Sequence, residues 1–286
     1  LHILGNKGGN GGGIFLKGVK ASIRNSKIVN NYAQYGGGLY TGMFPNSGII
    51  DVENLKIAKN VATAKGGGAF LNYSKINFTK TSIVNNTANT GGAIFVPEGT
   101  ESVFTNSTIY DNNSSQGSNG FLLDPTYNPN GDSFSITVKN SNIKNGDYGI
   151  KNLSQDMVTA TSNYWGDASG PYHPSQNASG KGDSVNVFVN VDPWLSAPNT
   201  DAPPIPAQNL TLTASTAFSA SFSWDASKMG DIAGYKFYYG TDIGGYFYEN
   251  SVDLGNVVTK SLTGLTTGKT YYIAVTTYDT DGNESW

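Results

Sequence analysis

Through the first half of the chain, short runs alternate apolar with polar residues and then break. Gly48-Ile49-Ile50-Asp51-Val52-Glu53-Asn54, Ser74-Lys75-Ile76-Asn77-Phe78-Thr79 and Phe134-Ser135-Ile136-Thr137-Val138-Lys139 are examples. A period of two predicts strands with one buried face, and the pattern nowhere takes on the 3.6-residue period of a helix. Between these runs a phrase recurs. Ser26-Lys27-Ile28-Val29-Asn30-Asn31 leads to Gly36-Gly37-Gly38-Leu39-Tyr40, and Ser82-Ile83-Val84-Asn85-Asn86 leads to Gly91-Gly92-Ala93-Ile94-Phe95. Leu55-Lys56-Ile57-Ala58-Lys59-Asn60 with Gly66-Gly67-Gly68-Ala69-Phe70 is a third copy. Aligned on Ile3, Ile28, Ile57, Ile83, Ile109 and Ile143, the copies step by 25, 29, 26, 26 and 34 residues. Three positions after the first five isoleucines stand Asn6, Asn31, Asn60, Asn86 and Asn112; the sixth copy has Gly146 there, with Asn145 beside it.

Each unit offers about three short strands and cannot bury its own apolar face, so it must stack on the next copy. This predicts an all-β chain whose first part is a right-handed parallel β-helix, a solenoid with ladders of Ile, Val, Leu and Phe inside. An antiparallel sandwich would also have short strands, but it would not repeat one phrase. The asparagine after each Ile strand is expected where the chain turns, because Asn tolerates a left-handed backbone, and stacked amides can bond from coil to coil. The glycine runs at Gly11, Gly36, Gly66, Gly91 and Gly117 allow tight bends and close backbone approach. The long step to Ile143 contains Asp124-Pro125-Thr126-Tyr127-Asn128-Pro129-Asn130-Gly131-Asp132, a surface excursion from a coil.

Further on come Asn163, Trp165-Gly166, Gly170-Pro171, Gly182-Asp183-Ser184-Val185 and Pro193-Trp194-Leu195. This pattern resembles the closing segment of secreted and cell-surface right-handed β-helix proteins with the pectate-lyase-like fold. The Gly-Gly-Ala-Ile phrases with an upstream asparagine resemble repeats of polymorphic outer-membrane and autotransporter-like surface proteins. The resemblance covers residues 1–196, with 159–196 as a C-terminal cap in which Trp165 and Trp194 plug the last coil. Residues 197–208 are Pro-rich and predict a linker. Six longer alternating runs follow, 209–213, 218–224, 234–239, 246–253, 259–262 and 270–278. This part, 209–286, resembles a fibronectin type III domain: Trp224 matches its core tryptophan, and the Leu265–Tyr271 turn places its corner tyrosine. Such domains have seven strands, and here the last is expected either from a continuation of the polypeptide or from a neighbouring chain.

Composition narrows the function classes. Charged residues are 14% of the 286, the net charge is −3 and Arg24 is the one arginine, so there is no basic footprint for nucleic acid. The absence of cysteine excludes disulfides and thiolate metal sites. No apolar run approaches the ~18 residues of a membrane span. The chain opens on Leu1 without a leader, as a mature or excised piece would.

Candidate chemistry is sparse. A polysaccharide lyase on this fold would need clustered carboxylates for Ca²⁺ and a Lys or Arg base. The chain offers Asp51, Glu53, Glu98, Glu101, Asp111 and Asp124, most of which do not recur at a coil's spacing, with Lys56, Lys59, Lys65 and Arg24 as possible bases. Asp111 and Asp124 are the nearest thing to a hydrolase pair. His173, in the Trp165 segment, fits a cap better than a site. Asp279, Asp281, Asn283 and Glu284 look like a calcium loop yet read as a hairpin turn. Tyr238-Tyr239 and Tyr246-Phe247-Tyr248 could stack on sugars, although alternation sends one neighbour of each pair inward. Sequons at Asn72, Asn77, Asn85, Asn106 and Asn209 would be surface acceptors in a glycosylating source. No catalytic, cofactor-binding or metal-ligating residue is assigned, with Ca²⁺ the one cofactor considered. The expectation is an extracellular or cell-surface structural or adhesive protein. Its partners would be copies of itself, in fibres, or cell-surface proteins, or polysaccharide. A secreted polysaccharide lyase or glycoside hydrolase is the alternative.

Overall fold

A computed structural model describes the chain except for residues 43–47, 98, 128–132, 242–247 and 286. Glu98, the Asn128–Asp132 part of the excursion, and Tyr246 and Phe247 therefore lie outside the described residues. The chain divides into two compact units, Leu1–Pro203 and Pro204–Trp286.

The first unit is a parallel β-solenoid of about five turns. Each coil contributes strands to three faces. Lys75–Thr79, Glu101–Thr105 and Ser135–Lys139 stack on the first face; Ser82–Val84, Thr108–Tyr110 and Asn142–Lys144 stack on the second. Ala21–Val29 and Ile50–Ala58 run unbroken round the corner between them, turning at Asn25 and Asn54 with φ of 47° and 48°. The third face holds Ile14–Lys17, Leu39–Gly42, Ala69–Leu71, Ile94–Val96, Phe121–Leu123, Tyr148–Asn152 and Gly182–Val185. A narrow sheet of Tyr32–Tyr35, Val61–Lys65, Thr87–Thr90 and Asn113–Ser114 joins second face to third. The isoleucines predicted to align do so: Ile3, Ile28, Ile57, Ile83, Ile109 and Ile143 are register partners in sequence. They point inward with Leu39, Leu71, Val96 and Leu123 from the third face and Val52, Phe78 and Phe104 from the first. Phe78 stacks on Phe104 at 4.5 Å.

The asparagines form a buried ladder, but they do not carry the left-handed turn. Positive φ falls one residue earlier, at Gly5, Asn30, Lys59, Asn85 and Asp111, which frees the following asparagine to point inward. The sixth rung is Asn145, not Gly146, because the last turn is one residue shorter; Gly146 follows it at φ 80°. The glycines behave as expected where backbones meet: a Cβ on Gly67 would lie 2.4 Å from the Gly92 carbonyl oxygen of the next coil.

At the C-terminal end Trp165 is fully buried in the core, with Trp194 packed against it. The 197–208 stretch is not uniformly a connector. Asn199 exchanges hydrogen bonds with the Asn142 side chain, N–H to Oδ1 at 2.8 Å and Nδ2 to O at 3.0 Å. The Pro203 carbonyl accepts from Thr108 Oγ1. Residues up to 203 thus belong to the solenoid.

The second unit has two antiparallel sheets. Gln208–Ser215, Ser219–Asp225 and Thr259–Thr263 form one, and Asn250–Asp253, Ile232–Gly240 and Tyr272–Asp279 the other. Trp224, Tyr235, Phe237, Leu262 and Val275 fill the space between them. The Tyr271 hydroxyl accepts a bond from the Thr266 N–H at 3.1 Å, the corner expected from the sequence. This is the fibronectin type III sandwich arrangement, with six strands among the described residues. Beyond the sixth the chain turns back, so that Ser285 N–H donates to the Thr277 carbonyl at 2.8 Å.

Candidate functional site

A surface with functional potential on a solenoid is a row of like side chains facing out from successive coils. The third face has one: Phe15, Tyr40, Phe70 and Phe95 are register partners, with Leu122 next. Consecutive rings lie 5.1, 5.0 and 5.2 Å apart and within 17° of parallel. The rings stack on one another along the solenoid axis, so each presents an edge outward and its faces to its neighbours. Sugar recognition by aromatics uses ring faces, and here those faces between coils are already taken. The row also sinks along its length: Phe15 is 47% exposed, Phe70 8% and Phe95 0%. At the buried end Lys65 Nζ sits 4.3 Å from the Phe95 ring centroid and 4.0 Å from Asp124 Oδ2. Tyr35 packs edge-on against Phe70. The sequence reading missed this row; its signal is the aromatic two or three places after the last glycine of each run, in Phe15, Tyr40, Phe70 and Phe95.

The first face carries three of the carboxylates considered for chemistry, Asp51, Glu53 and Glu101, and the stacking pairs them. Arg24 Nη1 meets Glu53 Oε2 at 3.2 Å, Lys75 Nζ meets Glu101 Oε1 at 2.9 Å, and Asn77 Nδ2 donates to Asp51 at 3.1 Å. Each is a contact between adjacent coils, a consequence of register rather than a convergent cluster. Asp111 sits on the left-handed corner after the second face, at φ 50°, while Asp124 follows the third face, so they occupy different corners of their coil. Among the described residues no group of three or more His, Asp or Glu could hold a metal ion.

In the closing segment His173 is buried, and its Nδ1 accepts from the backbone N–H groups of Ser175 at 3.1 Å and Gln176 at 2.9 Å. Burial lowers its pKa. The ring therefore organises its own turn. Asp183 is the more unusual group. It is buried beside Trp165, its Oδ2 accepts from Asn145 N–H, and its Oδ1 accepts from Gly146 N–H at 3.1 Å. Burial pushes its carboxyl up to about 6, against the opposing pull of those two N–H groups and of Lys144.

In the second unit Asp279 accepts from the N–H groups of Asp281 and Asn283 at 3.0 and 2.8 Å, which makes the calcium-like sequence a hairpin turn. Glu284 is held by Lys236 Nζ at 2.9 Å, the Tyr238 hydroxyl at 2.6 Å and Thr276 Oγ1 at 2.7 Å. Burial raises its pKa, but these three donors outweigh it and hold the carboxyl below its ordinary value. Tyr238 is thus committed to a carboxylate, with Tyr248 tilted against it at 5.9 Å.

No family model and no curated protein sequence matches the chain. Among solved structures it is similar to the third fibronectin III domain of the human KIAA0343 protein, at 20% identity and a TM-score of 0.25. That match covers 29% of this chain and 75% of the other. It is also similar to the chicken CNTN1 FN1–FN3 domains, at 17% identity and a TM-score of 0.26, over 35% of this chain and 33% of that one. Likenesses at this level add nothing to the fold, which rests on the strand pairing described above.

Proposed function

We propose that the chain is a structural or adhesive protein of the cell surface or extracellular space. Its solenoid serves as a rigid stalk or binding face, and its fibronectin-like unit as a spacer. The observation that carries this reading is the continuity of the coil-to-coil ladders, apolar, amide and aromatic, which run through successive turns and leave the coil side chains occupied with one another. A shape so determined by repetition suits load-bearing or display. Partners on this reading are further copies of the chain, cell-surface proteins or polysaccharide.

Two measurements test it. Protease treatment of intact source cells should release peptides of this chain, and recovery only after lysis would overturn the surface assignment. Incubation with pectin, alginate and xylan, each with added Ca²⁺, should give no turnover; sustained release of oligosaccharides would replace this reading with a lyase or hydrolase.

A further inference from the structure

His173 is one of two histidines in the chain, and its ring is fully buried. It follows the short strand Pro171–Tyr172, which lies beside Gly182–Val185, and it opens a turn. Two backbone bonds close that turn, His173 N–H to the Asn177 carbonyl at 3.0 Å and Asn177 N–H to the His173 carbonyl at 3.2 Å. Inside it the ring's Nδ1 accepts from the N–H groups of Ser175 and Gln176. An imidazole nitrogen that accepts carries no proton, so the ring is neutral with its one proton on Nε2.

Gln176 connects this turn to the end of the solenoid. Its backbone N–H faces the His173 ring, while its side-chain amide grips the last strand: Nε2 donates to the Val189 carbonyl at 3.2 Å, and Oε1 accepts from Val191 N–H at 3.1 Å. Val189–Asn190 ends the first face, paired with Val158–Thr159, and both Val189 and Val191 are fully buried in the core. Around the ring there is no counter-charge for a second proton. Ser175, Gln176 and the Val189 carbonyl are uncharged, neighbouring Tyr172 is exposed, and the Asp183 carboxylate on the adjacent strand is held by Asn145 and Gly146. Burial lowers the ring's pKa and outweighs the opposing pull of the Val189 and His173 carbonyls.

We infer that His173 is an acid-sensitive latch on the closing segment: a proton on Nδ1 turns the acceptor into a donor facing two backbone N–H groups, the turn 173–177 gives way, and Gln176 releases the last strand of the first face. The physical basis is that two N–H groups lose their acceptor at once while a charged ring stays buried among uncharged neighbours. The latch is closed above about pH 6.5, where the ring is neutral in the folded and the unfolded chain alike, and its contribution is lost as the pH falls through the lower folded value. A local change of protonation is thereby passed to the end of the apolar interior, through one glutamine side chain.

Ring titration by NMR and amide hydrogen exchange on the full chain, from about pH 7.5 to about pH 4, test this. The His173 ring should titrate below 6.5. Across that midpoint the protection factors of the Ser175, Gln176 and Val191 amides should fall by about tenfold or more, while those of Ile83 and Ile109 stay within about threefold. His173→Asn offers an amide oxygen in place of Nδ1 and cannot take up the proton, so the turn should persist at neutral pH and the acid response should vanish. Gln176→Ala should expose the Val191 amide at neutral pH already. An acid response unchanged in His173→Asn, or a Val191 amide still protected in Gln176→Ala, overturns the inference. If His173→Asn does not fold or lacks the turn, the parent protein decides: the ring titration and the loss of protection at Val191 should share one midpoint, and separate midpoints overturn it.

Discussion

Asn31, Asn60, Asn86, Asn112 and Asn145 are each about as buried as the isoleucines beside them, although each carries an amide. They are tolerated there because neighbouring coils supply the partners of every amide group, which a single unit could not do. Asp183 is the one rung that titrates. Its folded carboxyl, at about 6 against 3.8 for a free one, holds its proton more tightly than the unfolded chain does. The stability it contributes is fully present below about pH 4 and is lost as the pH rises through 6, a change on the order of 3 kcal/mol. Asp183→Asn should remove that slope, so urea midpoints of parent and variant, measured from pH 4 to pH 7, should differ most in their pH dependence. Parallel curves would show that Asp183 does not titrate in this window. At this scale the sequence announced the amide rungs but misplaced the turn, because Asn30-Asn31 and Asn85-Asn86 are pairs in which either member could be left-handed. Lys59 and Asp111 mark the outer position, since there the paired residue is not asparagine. A second ladder, in which Thr81 N–H donates to Ser107 Oγ and Ser107 N–H to Ser141 Oγ, was also legible: all three residues stand two places before an aligned isoleucine, hidden only by the abundance of Ser and Thr.

Among the elements, the glycine bends are the least forgiving. On Gly67 an added Cβ would meet the Gly92 and Thr87 carbonyl oxygens at 2.4 and 2.6 Å, both backbone atoms of the next coil. Gly5 has a left-handed φ of 65° but open space around it. Gly67→Ala should therefore cost several kcal/mol, since two sheets would have to separate, and Gly5→Ala only about 1 kcal/mol of backbone strain. Thermal melts followed by circular dichroism would separate the two, and equal losses would contradict the packing at the bend. The bends were visible in the sequence as glycine runs. The closing segment was visible, with Asn163 and Asp183 in its pattern, but their roles as acceptors for the Ser141 and Asn145 N–H groups were not. Asn163 and Asp183 lie outside the repeat, and nothing in their spacing says which ladder each one meets.

For the whole molecule, surface charge contributes little to what holds the coils in register. Arg24–Glu53 and Lys75–Glu101 are pairs of half-exposed side chains, each worth no more than about 1 kcal/mol and screened by salt. Raising NaCl from low millimolar to molar concentration should move the solenoid's melting temperature by only a few degrees; a collapse of stability would mean that these pairs matter more than the interior. The uniform register of the interior has a further consequence for how such a chain can change over time. From Ile57 to Ile83 to Ile109 the step is 26 residues, and each coil meets its neighbours through the same few positions. Length is then a nearly free variable: loss or gain of one whole period leaves a matching partner on each side of the join. The reach of the protein can be set by copying, without redesigning any contact.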